Sequence, residues 1–180
     1  MPTLIKDRAL VDDRWTLLRD ATTLADVPAA APVIVPLALW RLERESLSAR
    51  GEVGVWLKPD DDPEALVNEV GSLPLIAVDF PKFTDGRGYS TARLLREKYR
   101  YTGELRAIGD VLRDQLYYLQ ACGFNAFTLR ADRDPGDALA SFGDFSDNYQ
   151  ATATRPVPLF RRRDARVAGD VVDLDQSEPR

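Results

Sequence analysis

The segment 79–90, DFPKFTDGRGYS, combines residue types that together could hold an anion. Gly86 and Gly88 bracket Arg87 just ahead of a predicted helix, and glycine permits backbone angles that turn free N–H groups toward a ligand. The guanidinium would add a fork of hydrogen-bond donors for phosphate, sulfate or a carboxylate. The segment lacks the Gly-Lys-Ser/Thr sequence of a P-loop and the third glycine of a dinucleotide fingerprint. The alternative is a compact loop in which Asp85 pairs locally with Arg87.

Ionisable residues also follow the predicted strands at several points of the sequence. In a parallel sheet the carboxyl ends of the strands share one edge, where ligands commonly bind. We therefore expect these residues to meet at that edge and to suit an anionic ligand or the charged patch of a partner. Asp110 also fits a simpler role, as the N-cap of the helix predicted to follow it. The residues at these strand ends are Lys58, Asp79, Lys82, Asp110 and Arg130.

The composition excludes several classes of site for this chain acting alone. Its 180 residues include no histidine, which rules out Ser-His-Asp catalysis, histidine-ligated zinc and histidine-ligated haem. The single cysteine, Cys122, cannot form a disulfide within the chain or hold an iron–sulfur cluster. With 24 basic and 29 acidic residues, the chain lacks the positive charge that binding to duplex nucleic acid requires. We expect no metal site, no cofactor and no nucleic-acid partner.

The hydrophobic pattern indicates a cytoplasmic protein without a membrane span. The longest apolar stretch, 27–40, is interrupted by Pro28, Pro32 and Pro36 and is too short to cross a bilayer. Charged residues within segment 7–14 stand where a signal peptide would be apolar. A reducing compartment also suits a chain with one cysteine.

Short β-branched runs alternate with runs of helical period, a pattern that predicts an α/β fold. We expect an open, mostly parallel five-stranded sheet with helices on both faces. A partial (β/α) barrel is the alternative, because a complete barrel typically needs eight units. The run 75–78 is uninterruptedly apolar, as a strand buried on both faces should be. The five strands are expected at 33–35, 53–57, 75–78, 105–108 and 126–129.

Three regions follow from the same patterns. Residues 1–32 are predicted to form an N-terminal antiparallel hairpin or meander, with strands at 3–5 and 15–18, and a linker. Residues 33–150 form the α/β domain. Residues 151–180 form a largely irregular C-terminal extension, whose acidic end from residue 164 is predicted to be a disordered tail.

Helix boundaries are marked by capping residues. Asp62 and Asp134 each precede a proline, which is typical of an N-cap followed by the first helical turn. The clearest predicted helix, 111–122, ends at Gly123. It places Cys122 on the core side, near a helix C-terminus that raises a thiol pKa, so we expect an inert, buried cysteine.

Three motifs give the chain a resemblance to a known family. They are DFPKFTDGRGYSTARLLR at 79–96, GELRAIGDVLRDQ at 103–115 and CGF at 122–124. Over roughly 33–150 the chain resembles the bacterial family called domain of unknown function 934. Members of that family are commonly encoded beside the haem subunit of assimilatory sulfite reductase and carry the label of an oxidoreductase in sulfite reduction. The residues that match the motifs best are Asp79, Phe83, Asp85, Arg87, Tyr89, Arg93, Asp110, Arg113, Asp114 and Gln115.

The resemblance implies a role in sulfite reduction, while the residues include no recognisable site for a redox cofactor. Our first hypothesis is an accessory protein that contacts the sulfite reductase haem subunit or its electron donor. The alternative is a small-molecule enzyme or sensor that binds a sulfur oxyanion or a phosphorylated ligand, with Asp79 or Asp110 as acid or base. The third hypothesis is a structural module that binds no ligand. The candidate ligand or partner-binding residues are Asp79, Lys82, Asp85, Arg87, Tyr89, Ser90, Asp110, Arg113, Asp114 and Gln115.

Overall fold

The computed structural model describes residues 3–144, 149–153 and 156–162. The predicted disordered tail, 164–180, lies outside these residues. The strands are β1 Thr3–Lys6, β2 Ala9–Asp12, β3 Thr16–Leu17, β4 Val33–Pro36, β5 Val53–Leu57, β6 Leu75–Phe80, β7 Glu104–Gly109 and β8 Ala126–Phe127. The helices are α1 Leu37–Leu42, α2 Arg44–Arg50, α3 Arg87–Arg93, α4 Leu116–Cys122 and α5 Pro135–Leu139. Shorter helical turns lie at Leu24–Asp26, Pro63–Leu66, Leu94–Lys98, Arg113–Gln115 and Ala140–Gly143.

The fold is mixed α/β, and its strands form one sheet. Within the described residues this sheet has eight strands, in the order β2-β1-β8-β7-β6-β5-β4-β3, rather than the five we expected. The five predicted strands are β4 to β8, which run parallel and lie side by side in chain order. β6 is buried on both faces as predicted, with each residue of 75–78 at most 1% exposed.

The sheet is curled into a half-barrel. Its two edge strands, β2 and β3, are joined by residues 13–15 alone. Four Cα–Cα steps of about 3.8 Å span at most about 15 Å, whereas the edges of a flat eight-stranded sheet lie about 33 Å apart. The short connection therefore requires curvature.

The helices lie on one face of the sheet, so the expected arrangement with helices on both faces is wrong. Parallel strands in consecutive order, joined by crossovers of one hand, place every crossover helix on the same side. The larger apolar cluster joins that side of the strands to helical residues such as Leu47, Ala92 and Leu119. The cluster on the other side consists of strand residues, together with Trp15 and Leu17 from the N-terminal segment. The partial-barrel alternative fits this arrangement.

The N-terminal segment pairs differently from the predicted hairpin. β1 pairs with β2, and β1 also continues the sheet beyond β8. β3 instead runs parallel to β4 at the opposite edge, and the Trp56 indole donates to the Leu18 carbonyl at 3.3 Å. A short alternating run identifies a strand but not its partner, which explains the error.

A buried ion cluster fixes this segment to the concave face. The Arg106 side chain is 2% exposed, and its Nη1 donates to Asp13 Oδ2 at 2.8 Å. Its Nε donates to Glu104 Oε1 at 2.8 Å, and Lys6 Nζ lies 2.7 Å from Glu104 Oε2. Two cations and two carboxylates therefore balance one another where the chain crosses the sheet.

The capping predictions at Asp62, Asp134 and Gly123 are confirmed, while one helix is shorter than expected. Asp62 and Asp134 accept hydrogen bonds from the N–H groups of Glu64 and Gly136. Gly123, with φ +114°, ends α4, and Cys122 is buried. The helix predicted from residue 111 has its α-helical part at 116–122. The chain is still extended at Leu112, and the Arg130 N–H donates to the Val111 carbonyl at 3.1 Å. A 3-10 turn at Arg113–Gln115 then leads into the α-helix.

No helix in the described part of the chain is long and apolar enough to cross a membrane.

Candidate functional site

The carboxyl ends of β6 and β7 bring Asp79 and Asp110 to the same edge of the sheet. The two strands are adjacent and parallel, with Asp79 opposite Ile108, and Asp110 follows the end of β7 directly. Both aspartates line an open depression of about 450 Å³. The depression is completed by Arg19, Phe80, Pro81, Gly109 and Arg130.

Gly109 permits the close approach of the two strand ends. Its φ is +96°, and a Cβ at this position would lie 2.4 Å from the Phe80 carbonyl oxygen and 2.8 Å from Asp79 Oδ1. The following N–H, of Asp110, donates to the Phe80 carbonyl at 2.7 Å. A side chain at Gly109 would therefore separate the groups that define the depression.

Asp79 is paired with a residue that the sequence did not suggest. Arg19, from the segment that crosses the concave face, donates from Nη2 to Asp79 Oδ1 at 2.9 Å. The same guanidinium lies over the ring of Trp56 at 5.6 Å. Asp79 is nearly buried, at 8% exposed, so the arginine compensates its charge. The contact is made across the sheet between residues remote in sequence, and no local pattern signals it.

Asp110 is not an N-cap. Its Oδ2 accepts a hydrogen bond from the Phe83 N–H at 3.0 Å, and its Oδ1 accepts one from Arg130 Nη1 at 3.0 Å. Arg130 also donates from Nε to Asp132 Oδ1 at 2.6 Å. Hydrogen bonding to Asp132 and then to Asp110 raises the pKa of Arg130, and the same contact lowers the pKa of Asp132. The Arg130 guanidinium is thus held between two carboxylates.

Phe83 is held by its backbone while its ring is exposed. Besides the bond from its N–H to Asp110, its carbonyl accepts a hydrogen bond from Gln115 Nε2 at 3.1 Å. Gln115 is itself fixed, since its Oε1 accepts from the Leu112 N–H at 3.0 Å and its Nε2 lies 3.3 Å from the Tyr89 hydroxyl. The Phe83 side chain remains 53% exposed. An apolar ring is therefore presented to solvent on a constrained loop.

A row of aromatic rings leads from the core to the surface beside this loop. Phe80 is buried, its ring centroid lies 5.3 Å from that of Tyr89, and Tyr89 lies 5.0 Å from Tyr118. Tyr118 is 57% exposed, and burial raises the pKa of Tyr89. Gly88 allows the row to form, because a Cβ there would lie 2.6 Å from the Phe80 ring.

Arg87 belongs to a separate ion cluster. Its Nη2 and Nε lie 2.6 Å and 2.9 Å from the two carboxylate oxygens of Asp85, and Nη1 pairs with Asp60. Hydrogen bonding from Arg87 lowers the pKa of Asp85 to about 2. This is the local pairing that the sequence left open as an alternative. Asp60, in the loop after β5, was missed because it is distant in sequence.

The remaining predicted residues do not join the depression. Lys82 and Ser90 are exposed, and Lys58 Nζ lies over the Trp56 ring at 5.8 Å. Arg113 and Asp114 line a neighbouring hollow of about 570 Å³. The other charged residues of that hollow are Asp132, Arg133, Asp134, Asp137 and Asp144. Across the described residues, no group of three or more potential ligand side chains is placed to hold a metal ion.

The three arginines near the strand ends are already paired with carboxylates. Arg19 pairs with Asp79, Arg87 with Asp85 and Asp60, and Arg130 with Asp110 and Asp132. A small anion would have to displace a carboxylate from one of them. The surface therefore combines paired charges with two exposed aromatic rings, those of Phe83 and Tyr118.

A comparison with protein-family models finds one match, over residues 54–160, to the family described as bacterial protein of unknown function (DUF934). The match covers more than half of the chain and includes both strand ends and the whole 79–90 segment. No curated protein matches the sequence.

Proposed function

Because this chain belongs to the bacterial protein family of unknown function DUF934, we propose that it is an accessory protein of assimilatory sulfite reduction. It acts by docking onto the sulfite reductase haem subunit or onto that subunit's electron donor. The pathway comes from the resemblance described above. The mode of action comes from the surface around Phe83.

The observation that carries the proposal is the constrained, exposed ring of Phe83. Single exposed apolar side chains are common on protein surfaces. Phe83 differs in standing on a loop whose position is already fixed, and aromatic residues are among those that most often dominate protein interfaces. Ordering a loop on binding costs free energy, and here Asp110 and Gln115 have already ordered it through the N–H and carbonyl of Phe83. The loop is thus prepared for docking in the free protein.

The surrounding charges suit the rim of a protein interface. The clusters formed by Arg87 with Asp85 and by Arg130 with Asp132 alternate in sign and are partly exposed. Such a pattern orients a partner and rejects wrong ones, although each surface pair contributes little affinity. A free oxyanion gains less here, since the arginines that would bind it are paired. This favours a protein partner over the small-molecule alternative.

The experiment is to measure association of the purified chain with the haem subunit, and separately with its electron donor, by biolayer interferometry. We expect one of the two to bind. Phe83→Ala should weaken that binding at least tenfold, the size of loss typical of a central interface residue. Leu42→Ala is the matched control, because Leu42 at the end of α1 is also an exposed apolar side chain, 71% accessible. Its binding should match that of the unmodified chain.

Two outcomes contradict the proposal. One is the absence of association with either component at micromolar concentration. The other is binding that Phe83→Ala leaves unchanged, which would place the interface elsewhere.

In cells, loss of the chain should create a requirement for reduced sulfur, and expression of the Phe83→Ala chain should not relieve that requirement.

A further inference from the structure

Two charged residues close to Phe83 have no ion-pair partner among the described residues. They are Lys82 and Asp114, and both are exposed. The other charges around the ring compensate one another, so these two residues leave charges of opposite sign open to a partner. The compensated pairs are Asp79 with Arg19, Asp85 with Arg87, Asp110 with Arg130 and Asp144 with Arg113.

Lys82 belongs to the same turn as the exposed ring. It directly precedes Phe83, and its carbonyl accepts the Asp85 N–H at 2.9 Å, which closes the turn. Phe83 and Thr84 form the corner of this turn, and both are exposed. The ammonium group of Lys82 is therefore attached to a backbone that is already fixed, beside the ring that makes the proposed contact.

Asp114 approaches Phe83 from the neighbouring loop, after β7. It directly precedes Gln115, whose amide donates to the Phe83 carbonyl at 3.1 Å. Burial raises the pKa of Tyr89 and the charge of Asp114 adds to this effect, so the carboxylate lies within electrostatic reach of the hydroxyl that contacts Gln115. Asp114 also lines the hollow of about 570 Å³, which leaves room for a long side chain of a partner to reach it.

Unpaired charges of opposite sign on two fixed loops define one orientation of a docked protein. A single apolar ring can enter a recess in several rotations about its own axis. Charges at a protein interface are arranged so that opposite signs meet, and a like charge at such a position costs affinity. A partner face with one sign of charge would satisfy either Lys82 or Asp114 and would repel the other.

We propose that the partner presents an Asp or Glu carboxylate to Lys82 and a Lys or Arg side chain to Asp114, beside the recess that receives Phe83. The basic side chain reaches Asp114 through the hollow. This inference rests on the proposed docking function and adds the chemistry of the partner's contact face. Lys82 and Asp114 thus determine the orientation in which the two proteins meet.

The test is a charge swap, Lys82→Asp together with Asp114→Lys, in the full chain. Biolayer interferometry is run with the sulfite reductase component that binds the unmodified chain. The swap keeps the net charge at −5, so it separates the positions of the charges from their total. We expect at least a tenfold loss of affinity, because each substituted group would face a like charge. Salt screens this repulsion, so the loss should shrink between about 0.05 M and about 0.3 M sodium chloride.

Arg41→Glu together with Glu45→Lys is the matched control. These two residues are also exposed and without an ion-pair partner among the described residues, and they lie on α1 and α2. The control swap should bind like the unmodified chain at both salt concentrations.

The proposal is overturned if the swap at Lys82 and Asp114 leaves binding unchanged. It is equally overturned if the loss of affinity is the same at low and high salt, as a distorted loop would cause. In both cases binding that still requires Phe83 would leave the docking function in place. Absence of any association with the unmodified chain would instead refute the docking function and this inference together.

Discussion

Asp110 and Gln115 hold the same residue from opposite sides: the carboxylate of Asp110 accepts the N–H of Phe83 at 3.0 Å, and the amide of Gln115 donates to its carbonyl at 3.1 Å. Both residues follow β7, whereas Phe83 follows β6. The loop after one strand is thus ordered by the loop after its neighbour. Since the Phe83 ring makes the proposed contact, Asp110 and Gln115 act on docking indirectly, as positioning residues.

Gln115→Ala should therefore weaken partner binding through Phe83. Removing the amide frees one side of the loop, and reordering it on binding should cost roughly 0.5–1.5 kcal/mol, which corresponds to about a twofold to thirteenfold loss of affinity. In the Phe83→Ala background the same substitution should have little further effect, because the ring that it positions is absent. A double-mutant cycle by calorimetry measures this coupling. Additive losses would mean that Gln115 contacts the partner by itself.

Arg106→Ala should destabilise the fold strongly. Arg106 is 2% exposed and holds Asp13 and Glu104, so its loss leaves two poorly compensated carboxylates at the concave face. Breaking a buried ion cluster in this way costs about 3–5 kcal/mol. Arg93→Ala is the control, because its pair with Glu97 is about half exposed and should contribute below about 0.5 kcal/mol. Urea unfolding of the two variants measures the difference; equal midpoints would refute the structural role of Arg106.

Features set by neighbouring residues could be predicted from the sequence. The N-caps Asp62 and Asp134 accept hydrogen bonds from N–H groups two residues away. The uninterrupted apolar run 75–78 indicates by itself that the strand is buried on both faces. Gly123 ends its helix because a positive φ is needed at that position. In each case the cause lies within a few residues of the effect.

Features set by contacts between distant segments could not be predicted. Arg19 and Asp60 reach Asp79 and Arg87 across loops that the sequence does not bring together. Asp110 occupies a position typical of an N-cap. Its carboxylate instead accepts the Phe83 N–H, because the loop after β6 passes beside it. Strand order, which places the helices on one face, is likewise decided by packing between elements and not by the pattern within any of them.

Gly109→Ala should destabilise the edge that carries Asp79 and Asp110. Alanine resists a φ of +96°, and its Cβ would lie 2.4 Å from the Phe80 carbonyl oxygen. Backbone strain of this kind costs about 1–2 kcal/mol, and relief of the contact adds to it. Gly71→Ala is the control, since no atom lies within 4 Å of its Cβ position and its φ is not positive. Thermal unfolding should show a lower melting temperature for Gly109→Ala alone.

The ion pair between Asp85 and Arg87 predicts how stability depends on pH. The folded pKa of Asp85 is about 2, below the ordinary 3.8 of an aspartate, so the pair stabilises the fold fully above pH 3.8. This contribution is lost as the pH falls through about 2. The stability difference between the unmodified chain and Arg87→Gln should therefore be constant at neutral pH and shrink below pH 3.8. An NMR titration should give an Asp85 midpoint near 2 that rises in Arg87→Gln; an unchanged midpoint would assign the shift to another group.

Sulfite and sulfate should leave the melting temperature almost unchanged, within about 1 °C of a chloride control at equal ionic strength. The reason is that Arg19 and Arg130, the cations of the carboxyl-edge depression, are held by Asp79, Asp110 and Asp132. An anion must replace a carboxylate that is already in contact, and the gain from the new pair is offset by the carboxylate left behind. Ligand binding to the folded state would raise the melting temperature with concentration. A saturable rise with sulfite that disappears in Arg130→Gln would favour the oxyanion-binding alternative over docking, because it would show that the Arg130 guanidinium exchanges its carboxylates for a free anion.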